Sequence, residues 1–403
     1  MEIKIITKYW GKIDPLKIEE YVAIGGYWSL KKFIREMDGN GAISEIKKSG
    51  LAGRGGAGFL MGDKLAMVAA SPEKVKYFIC NLDESEPGTY KDRSIVDNNP
   101  HLLIEGIIIS SLSIGAREAF IYINGNYKKQ AEILERSLKQ AEENNYLGND
   151  ILGSGYGLKI EIFRGAGAYV CGEETALINS MEGNRGEPKL RPPYPTEVGY
   201  LGKPTAVNNA ETISNVPWII NNGGEAYAKV GSSESPGTKL YILGGAVKNL
   251  GVFEGLTGMT VREVISTFGG GLKEGKKMWF AQVGGASGRL VTKDELDTPL
   301  TFSRNQKIPL GSGSILVVDT TCKLNEIILS WMDFFRRESC GKCVPCREGT
   351  FRLFEIAKRL QDGEISPEDE KAIGDIIWTL NNTTFCPLGK FAATAFQDAI
   401  EKL

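Results

Sequence analysis

Apolar positions recur along the chain at two different intervals, and the change between them divides it into parts. Residues 16–24 and 29–37 are apolar at three- and four-residue steps, which predicts helices at the start of the chain. From residue 75 onward, short apolar runs alternate with longer segments of helical spacing. Strands separated by helices of this length indicate parallel pairing through right-handed crossovers.

The pattern predicts four parts with the boundaries 1–50, 51–235, 236–321 and 322–403. In the second part the predicted strands are 75–80, 119–123 and 158–163, and the predicted helices are 102–115, 127–144 and 169–181. In the third, β-rich runs at 239–243, 278–283 and 314–318 flank one helix at 261–268, as in a small α+β domain. In the fourth, helices at 325–337, 350–360, 367–380 and 391–402 predict a four-helix bundle.

Four cysteines in the last part indicate iron–sulfur chemistry. Cys340, Cys343 and Cys346 follow a C-x-x-C-x-x-C spacing, and Cys386 stands later in a Cys-Pro pair. Such a loop can bind three irons of a cubane cluster while the distant cysteine supplies the last thiolate. Structural zinc is an alternative, but it usually uses two separated C-x-x-C pairs or adds histidine, and this chain has one histidine in 403 residues. A disulfide is the other alternative.

Composition excludes several classes of protein. A formal net charge of -2 with 24% charged residues argues against a nucleic-acid-binding surface and against disorder. The longest apolar stretch, residues 102–116, is too short and too polar to span a bilayer, and the first residues show no signal-peptide pattern. His101 is expected at a helix start, and as the lone histidine it excludes multi-histidine sites. We expect a soluble, cytoplasmic protein with no nucleic-acid partner and no membrane insertion.

Residues 53–58, Gly-Arg-Gly-Gly-Ala-Gly, form the most glycine-rich segment. The match to G-x-G-x-x-G is literal, but a helical segment rather than a strand precedes it, so as a dinucleotide fingerprint it is weak. Its glycines would let backbone N–H groups approach phosphate oxygens, and Arg54 and Lys64 would add positive charge. A tight turn joining the N-terminal helices to the sheet is the alternative.

Two acidic loops follow predicted strands. One is Asn-Leu-Asp-Glu-Ser-Glu at residues 81–86, and the other leads through a glycine turn to Glu173 and Glu174. Because ligands bind beyond the carboxyl ends of parallel strands, both loops should face one crevice. Their carboxylates would accept hydrogen bonds from ribose hydroxyls and repel a ribose phosphate, which favours an unphosphorylated nicotinamide nucleotide. Solvated loops with glutamates at a helix N-terminus are the alternative.

Two further segments offer groups for a nucleotide. Tyr194 lies in a stiff proline-rich stretch and could stack on adenine, although the stretch is also typical of an ordinary connector. Residues 206–212, Ala-Val-Asn-Asn-Ala-Glu-Thr, carry amides and a hydroxyl suited to a heterocycle's edge or a phosphate. Polar helix caps have the same composition.

Five segments together resemble one family, the flavin- and NADH-binding subunit of respiratory complex I, which is shared with NAD-linked hydrogenases and formate dehydrogenases. They are residues 53–59, 80–93, 165–177, 204–212 and 338–349. The resemblance covers nearly the whole chain and keeps the family's motif order. It implies an α/β fold with a Rossmann-like flavin domain, a ubiquitin-like β-grasp domain and a C-terminal four-helix bundle that binds a 4Fe-4S cluster.

The resemblance also implies roles for individual residues. FMN would be surrounded by Gly53, Arg54, Gly55, Gly56, Lys64, Asn81, Asp83, Glu84, Tyr169, Gly172, Glu173, Val207, Asn208, Asn209 and Thr212. The dinucleotide would be contacted by Phe59, Glu86, Glu174 and Tyr194, with Pro387 beside the flavin near the cluster. The cluster would be held by Cys340, Cys343, Cys346 and Cys386. Departures from the family at Leu60, Met61, Leu65, Met67 and Arg191 concern the stacking around adenine.

The same resemblance implies an NADH:acceptor oxidoreductase in which no side chain acts as a general base. Glu86 and Glu174 would position NAD(H), and electrons would pass from FMN to the cluster. Residues 11–21 are similar to soluble hydrogenase subunits. We therefore expect the NAD-reactive module of an NAD-dependent hydrogenase, with a thioredoxin-like 2Fe-2S subunit and a catalytic iron–sulfur subunit as partners. The alternatives are a complex I or formate dehydrogenase subunit, a flavin-free electron relay and a zinc-stapled ligand-binding protein.

Overall fold

A computed structural model describes residues 3–303 and 306–403. The chain begins with four helices, α1 (Ile18–Ala23), α2 (Trp28–Glu36), α3 (Gly39–Lys48) and α4 (Met61–Ala70). The glycine-rich segment lies between α3 and α4, so a helix precedes it, as predicted. The side chain of Asp38 starts α3 by accepting a hydrogen bond from the backbone N–H of Gly41 at 2.7 Å.

The next part contains a sheet of four parallel strands in the order β3-β2-β1-β4. Its elements are β1 (Tyr77–Leu82), α5 (Lys91–Asn98), α6 (Pro100–Ser113), β2 (Glu118–Asn124), α7 (Lys128–Glu143), β3 (Lys159–Gly165), α8 (Glu174–Met181), β4 (Thr205–Asn209), α9 (Ala210–Ile213), α10 (Val216–Asn222) and α11 (Gly224–Ala228). The pattern predicted β1 to β3 within two residues. It missed β4, because Asn208 and Asn209 make that strand look like a loop.

The two faces of this sheet pack into different cores. Along β1, Phe78 and Cys80 enter a core with α6 and the N-terminal helices, whereas Tyr77 and Ile79 enter a core with the C-terminal helices. This alternation is that of a strand buried on both faces. β2 and β3 lie on one side of β1, and β4 lies on the other. The carboxyl ends of β1 and β4 therefore mark the point at which parallel sheets bind ligands.

A second sheet of five strands follows, in the order β8-β7-β9-β5-β6. Its elements are β5 (Thr238–Gly245), β6 (Gly251–Leu256), α12 (Val261–Thr267), β7 (Met278–Val283), β8 (Arg289–Val291) and β9 (Ser314–Asp319). β5 and β9 pair in parallel, and the other pairs are antiparallel. The pattern missed β6 and β8. In β6 the buried Glu254 interrupts the apolar run, and its carboxylate accepts hydrogen bonds from the N–H groups of Ile5 and Thr7 at 2.8 and 2.7 Å.

The C-terminal part consists of helices, α13 (Leu324–Glu338), α14 (Val344–Asp362), α15 (Pro367–Thr383), α16 (Pro387–Phe391) and α17 (Thr394–Lys402). Four helices were predicted. The predicted helix at 391–402 starts at Thr394 instead, and the short α16 precedes it. α14 begins earlier than predicted because Pro345 is compatible with a first helical turn. Within the ranges that the structure describes, no helix combines the length and apolarity needed to cross a membrane.

Candidate functional site

The two acidic loops meet at the carboxyl edge of the parallel sheet. The side-chain amide of Asn81, in β1, donates to the carbonyl of Gly172 at 2.9 Å. The helix predicted at 169–181 is divided here: Tyr169–Gly172 is a short 3-10 turn, and α8 starts at Glu174. Glu173 causes the division, because its carboxylate caps α8 by accepting from the N–H groups of Thr175 and Ala176, both at 3.0 Å. The two acidic loops are therefore in contact, as expected from the sequence, and Glu173 is used as a helix cap where they meet.

The glycine-rich loop lies directly against β4. A Cβ atom on Gly55 would be 3.1 Å from the Cβ of Asn209, so a side chain there would push the loop away from the strand. The N–H of Arg54 donates to the hydroxyl of Thr212 at 2.8 Å. The guanidinium of Arg54 is fully buried and donates to the carbonyl of Pro236 at 2.6 Å. Arg54 thus anchors the loop through its contacts with Thr212 and Pro236, in addition to giving the loop a positive charge.

Two residues of this crevice carry buried polar atoms without a partner in the protein. They are Oδ1 of Asp83 and Nδ2 of Asn208. Burial raises the pKa of Asp83 to about 7. Unpaired buried polar atoms destabilise a fold, so one donor and one acceptor left open beside a glycine loop suit a ligand that satisfies both. The phosphate and heteroaromatic ring of FMN match this donor and acceptor set.

The neighbouring Asn209 has its amide fully engaged. Its Oδ1 accepts from Lys91 Nζ at 3.0 Å, and its Nδ2 donates to Asp92 Oδ2 at 2.7 Å. Lys91 Nζ also lies 3.0 Å from Glu211, which in turn binds Lys239 Nζ at 2.6 Å. These four charged side chains, Lys91, Asp92, Glu211 and Lys239, are all buried. We call them the buried charge network. It joins α5 and α9 to the second sheet beneath the crevice.

Sequence reasoning missed the network, although residues 91–93, Lys-Asp-Arg, stood within one of the five family-like segments. Burial, and then the charge of the nearby Asp92, raises the pKa of Glu84 to about 7. Glu84 itself does not join the network, because its carboxylate accepts from the N–H groups of Asp92 and Arg93 at 2.6 and 3.0 Å and so caps α5.

Glu86 takes another direction and faces the second sheet. Its carboxylate accepts from the N–H of Ala286 at 3.0 Å, from the hydroxyl of Thr89 at 3.1 Å and from the hydroxyl of Tyr169 at 3.3 Å. Burial raises the pKa of Glu86, and these donors oppose that shift. Burial, then the charge of Glu86, raises the pKa of Tyr169.

Glu174 is paired on both of its oxygens. Lys64 Nζ lies 2.8 Å from Oε2, and Arg191 Nη1 lies 3.2 Å from Oε1. Each cation also lies over an exposed aromatic ring: Lys64 is 5.8 Å from the ring centre of Phe59, and Arg191 is 5.9 Å from that of Tyr194. The two rings expected to contact a dinucleotide are thus connected through one carboxylate. The charge of Glu174 is compensated, which weakens the repulsion of a ribose phosphate expected from the sequence.

Three of the four cysteines lie at the N-termini of two helices, and Cys340 lies in the segment between α13 and α14. Cys343 is the N-cap of α14, Cys346 lies in its first turn, and Cys386 is the N-cap of α16 directly before Pro387. Burial, and then the thiols of the other three cysteines, raise the pKa of Cys346 to about 12, while the hydroxyl of Ser339 at 3.3 Å opposes this. All four thiols therefore lie within electrostatic reach of one another.

This donor set fits a cubane cluster. Among residues 3–303 and 306–403, no three histidine, cysteine or carboxylate side chains converge as ligands of a single metal ion would. A 4Fe-4S cluster places a different iron at each thiolate, so its cysteines need not meet at one point.

The cysteine site adjoins the crevice. Lys342, between Cys340 and Cys343, donates to the carbonyl of Pro188 at 2.8 Å. The N–H of Tyr169 donates to Glu338 at the end of α13 at 2.9 Å. The thiol of Cys386 also contributes to the raised pKa of Tyr169. Tyr169 is thus shared between the two sites.

Comparison with known proteins identifies both halves of this arrangement. Residues 46–218 match the family model of the Nuo51 FMN-binding domain, and residues 326–403 match that of the NADH-ubiquinone oxidoreductase-F iron-sulfur binding region. An NADH-quinone oxidoreductase subunit of Aquifex aeolicus (strain VF5) is 44% identical over 388 residues, which cover 96% of this chain and 89% of that protein. The chain belongs to this family. The resemblance stated from the sequence motifs is confirmed.

Two further relatives carry hydrogenase names. The NADP-reducing hydrogenase subunit HndC of Solidesulfovibrio fructosivorans is 39% identical over 96% of this chain and 79% of its own length. The crystal structure of an NAD+-reducing [NiFe]-hydrogenase in the H2-reduced state superposes with a TM-score of 0.87 at 30% identity. That match covers 99% of this chain, which spans 66% of the hydrogenase chain. Membership makes the protein an NADH oxidoreductase subunit with FMN and a 4Fe-4S cluster as cofactors.

Proposed function

We propose that the chain exchanges hydride between NAD(H) and FMN in the crevice and delivers electrons to a 4Fe-4S cluster, as the NAD-reactive module of an NAD-dependent hydrogenase. The observation that carries the proposal is the junction at Tyr169, whose hydroxyl binds Glu86 in the crevice and whose backbone N–H donates to Glu338, two residues before Cys340. FMN, when bound, supplies two-electron exchange with a nicotinamide and one-electron exchange with a cluster. The protein's part is to position the groups and exclude water.

Within this proposal the residues fall into groups by the cofactor that each would bind. The FMN site comprises Gly53, Arg54, Gly55, Gly56, Lys64, Asn81, Asp83, Glu84, Tyr169, Gly172, Glu173, Val207, Asn208, Asn209 and Thr212. Of these, Asn208 and Asp83 offer open polar atoms. Asn209 and Glu84 support the FMN site indirectly. Asn209 binds Lys91 and Asp92 of the buried charge network, and Glu84 caps α5. Cys340, Cys343, Cys346 and Cys386 ligate the cluster, with Pro387 beside the flavin.

The nicotinamide nucleotide enters past the exposed rings of Phe59 and Tyr194, which are 43% and 50% exposed. Apolar rings at an open mouth can stack on adenine. Glu86 and Glu174 then accept hydrogen bonds from the ribose hydroxyls. Glu86 binds Tyr169, whose backbone N–H reaches Glu338 before the cysteines, so we place Glu86 at the nicotinamide end of the ligand.

We assign the domain boundaries 51–235, 236–321 and 322–403 to a Rossmann-like flavin domain, a β-grasp domain and a helical bundle, after the N-terminal segment 1–50. Support comes from the cores, since the second sheet has a core of its own. Residues 1–2 and 304–305 lie outside the described residues. The cytoplasmic location stays a prediction from the sequence.

A complex I subunit is the second candidate, and the 44% identity to the NADH-quinone oxidoreductase protein of Aquifex aeolicus favours it. The hydrogenase assignment is supported by residues 11–21 and by the match to the NAD+-reducing hydrogenase over 99% of the chain. Partners would be a thioredoxin-like 2Fe-2S subunit together with a hydrogenase or other catalytic iron–sulfur subunit.

Anaerobically purified protein tests the proposal. We expect one FMN and about four irons per chain, and reduction of ferricyanide or viologen by NADH. Cys386→Ser should abolish or convert the EPR signal of the reduced cluster while FMN stays bound. Zinc without iron, or iron without flavin, would refute the assignment.

A further inference from the structure

The second sheet contributes a loop to the crevice, and that loop touches Glu86. Residues 284–288, Gly-Gly-Ala-Ser-Gly, connect β7 to β8. The N–H of Ala286 donates to Glu86 Oε1 at 3.0 Å. The hydroxyl of Ser287 lies 3.2 Å from that of Tyr169, which itself binds Glu86. We call residues 284–288 the clasp loop.

Gly285 is the residue that allows this contact. A Cβ atom at Gly285 would be 2.2 Å from Glu86 Oε2, closer than any van der Waals contact permits. The backbone of Gly285 has φ +94°, a left-handed conformation that glycine adopts without a steric penalty. Any side chain here would displace the carboxylate of Glu86, because the far end of Glu86 is the first thing it meets.

The clasp loop is held from behind by the C-terminal helices. The side-chain amide of Gln282 donates to the carbonyl of Ala286 at 3.1 Å. The indole N–H of Trp331, in α13, donates to the side-chain oxygen Oε1 of Gln282 at 3.2 Å. Gln282 and Trp331 are buried, so water does not substitute for these bonds. A continuous series of hydrogen bonds therefore runs from α13 through Gln282 and Ala286 to Glu86.

We propose that the clasp loop is a positioning element of the nicotinamide site, in which Gly285 and Ala286, supported from β7 by Gln282, hold the Glu86 carboxylate where the nucleotide ribose meets it. This inference rests on the proposed contact between Glu86 and the dinucleotide. It gives the second sheet a part in substrate binding. A carboxylate held by preformed bonds needs no reordering when the ligand arrives, so its loosening weakens binding.

The test is calorimetric binding of NAD+ to the holoprotein, with FMN and iron content measured alongside. Gly285→Ala should weaken NAD+ binding about tenfold or more, which is about 1.4 kcal/mol, and raise KM for NADH more than it lowers kcat. Gly275→Ala is the matched control, because Gly275 has φ +72° and nothing within 4 Å of a built Cβ. It carries the same kind of backbone strain without touching Glu86, and should bind NAD+ normally.

A double-mutant cycle separates the possible failures. If Glu86→Gln weakens NAD+ binding in the natural protein but has no further effect in Gly285→Ala, the two residues act through one contact. If Glu86→Gln leaves binding unchanged, the proposed contact of Glu86 with the nucleotide is wrong. If Glu86→Gln weakens binding while Gly285→Ala behaves like Gly275→Ala, the clasp proposal is wrong and the function stands.

Gln282→Met provides an independent route should Gly285→Ala fold poorly. It removes the bond to Ala286 while keeping side-chain length, and it should weaken NAD+ binding in the same direction. Normal NAD+ binding by a folded Gln282→Met protein with full FMN and iron content would overturn the role of Gln282 and of the series of hydrogen bonds from α13 to the clasp loop.

Discussion

At the scale of single residues, His101 shows how burial sets a charge state. It lies in the first turn of α6, as its position after Asn-Asn-Pro predicted. Nδ1 lies 2.9 Å from the hydroxyl of Tyr27, and Nε2 lies 3.1 Å from Oε1 of Gln140. Burial lowers the pKa of His101 to about 4, whereas an unperturbed histidine titrates near 6.5. The folded protein therefore favours neutral His101.

The lowered pKa predicts a loss of stability in acid. The contribution of His101 is complete above the unfolded pKa and is lost as the pH falls from about 6.5 through about 4. Between about pH 8 and about pH 5 the protein should lose about 2 kcal/mol of unfolding free energy that His101→Gln does not lose. Urea denaturation of both proteins at the two pH values measures the difference. Parallel pH profiles would show that His101 titrates normally.

The pair formed by Glu174 and Arg191 predicts opposite effects on coenzyme choice. Glu174→Gln should free Arg191 to bind a ribose phosphate, and should raise the NADPH-to-NADH ratio of kcat/KM about tenfold. Arg191→Gln should leave Glu174 less compensated and lower the same ratio. Glu182→Gln is the control, because it breaks a similar pair with Lys189 at the other end of α8. Equal ratios in all four proteins would contradict any role of this pair in selectivity.

The sequence was informative about residues whose chemistry is local. Spacing alone predicted the four cysteines as cluster ligands. The position of the loops after strands predicted Asn81, Asp83 and the glutamates as residues of the crevice. Loop position alone could not separate Glu84 from Glu86. A backbone φ of 39° at Glu84 accompanies its side chain's turn onto α5, while Glu86 meets a loop 200 residues further on. Such contacts depend on tertiary structure, which neither periodicity nor spacing encodes.

At the scale of elements, the buried charge network links α5, α9 and β5. Glu211 accepts from Lys91, Lys239 and the N–H of Leu240, the last at 2.8 Å. Without its carboxylate, Lys239 would lose its ion pair with Glu211, and Lys91 would keep its ion pair with Asp92. A buried charge that loses its partner lowers the free energy of unfolding. The network therefore stabilises the contact between the flavin domain and the second sheet only while it is complete.

We therefore predict that Glu211→Gln destabilises the protein by about 3–5 kcal/mol. Asp297→Asn removes one carboxylate from an ion pair with Arg262 whose side chains are 71% and 54% exposed, and it should cost less than about 1 kcal/mol. Guanidinium denaturation of both variants gives the comparison. A Glu211→Gln protein as stable as Asp297→Asn would mean that water or a rearranged Asp92 satisfies both lysines.

Elements with strong periodicity were predicted well, and those with buried polar residues were not. β1, β2, β7 and α7 lie within two residues of their predicted bounds. β4 and β6 were missed because each carries a polar residue that is buried for a tertiary reason: Asn208 lines the crevice, and Glu254 binds the N-terminal segment. α5 was missed because its first turn is charged and enters the network. A prediction from the hydrophobic pattern takes polar residues to be exposed, and it therefore misses elements whose polar residues are buried.

At the scale of the whole molecule, the arrangement implies a partner at the C-terminal helices. Val344 directly follows Cys343, and Phe385 directly precedes Cys386, yet these apolar side chains are 58% and 48% exposed. Trp378, in α15, is 64% exposed. Within the described residues the remaining cysteines do not extend the relay, since Cys80 and Cys171 are buried singly and Cys322 stands apart. We propose that electrons leaving the cluster pass to a partner chain, and that this partner docks on the apolar residues beside the thiols.

This docking face predicts which function survives when assembly is broken. Val344→Glu combined with Phe385→Glu should prevent co-purification of a thioredoxin-like 2Fe-2S protein and a hydrogenase catalytic subunit from the native host. The same protein should keep NADH-dependent reduction of ferricyanide, because FMN and the nucleotide crevice are untouched. Leu250→Glu is the control, since Leu250 is 55% exposed near the second sheet, away from the thiols. Recovery of membrane-embedded proton-pumping subunits with the unaltered chain would assign it to complex I, and hydrogen-dependent NAD+ reduction by the isolated chain would refute the modular argument.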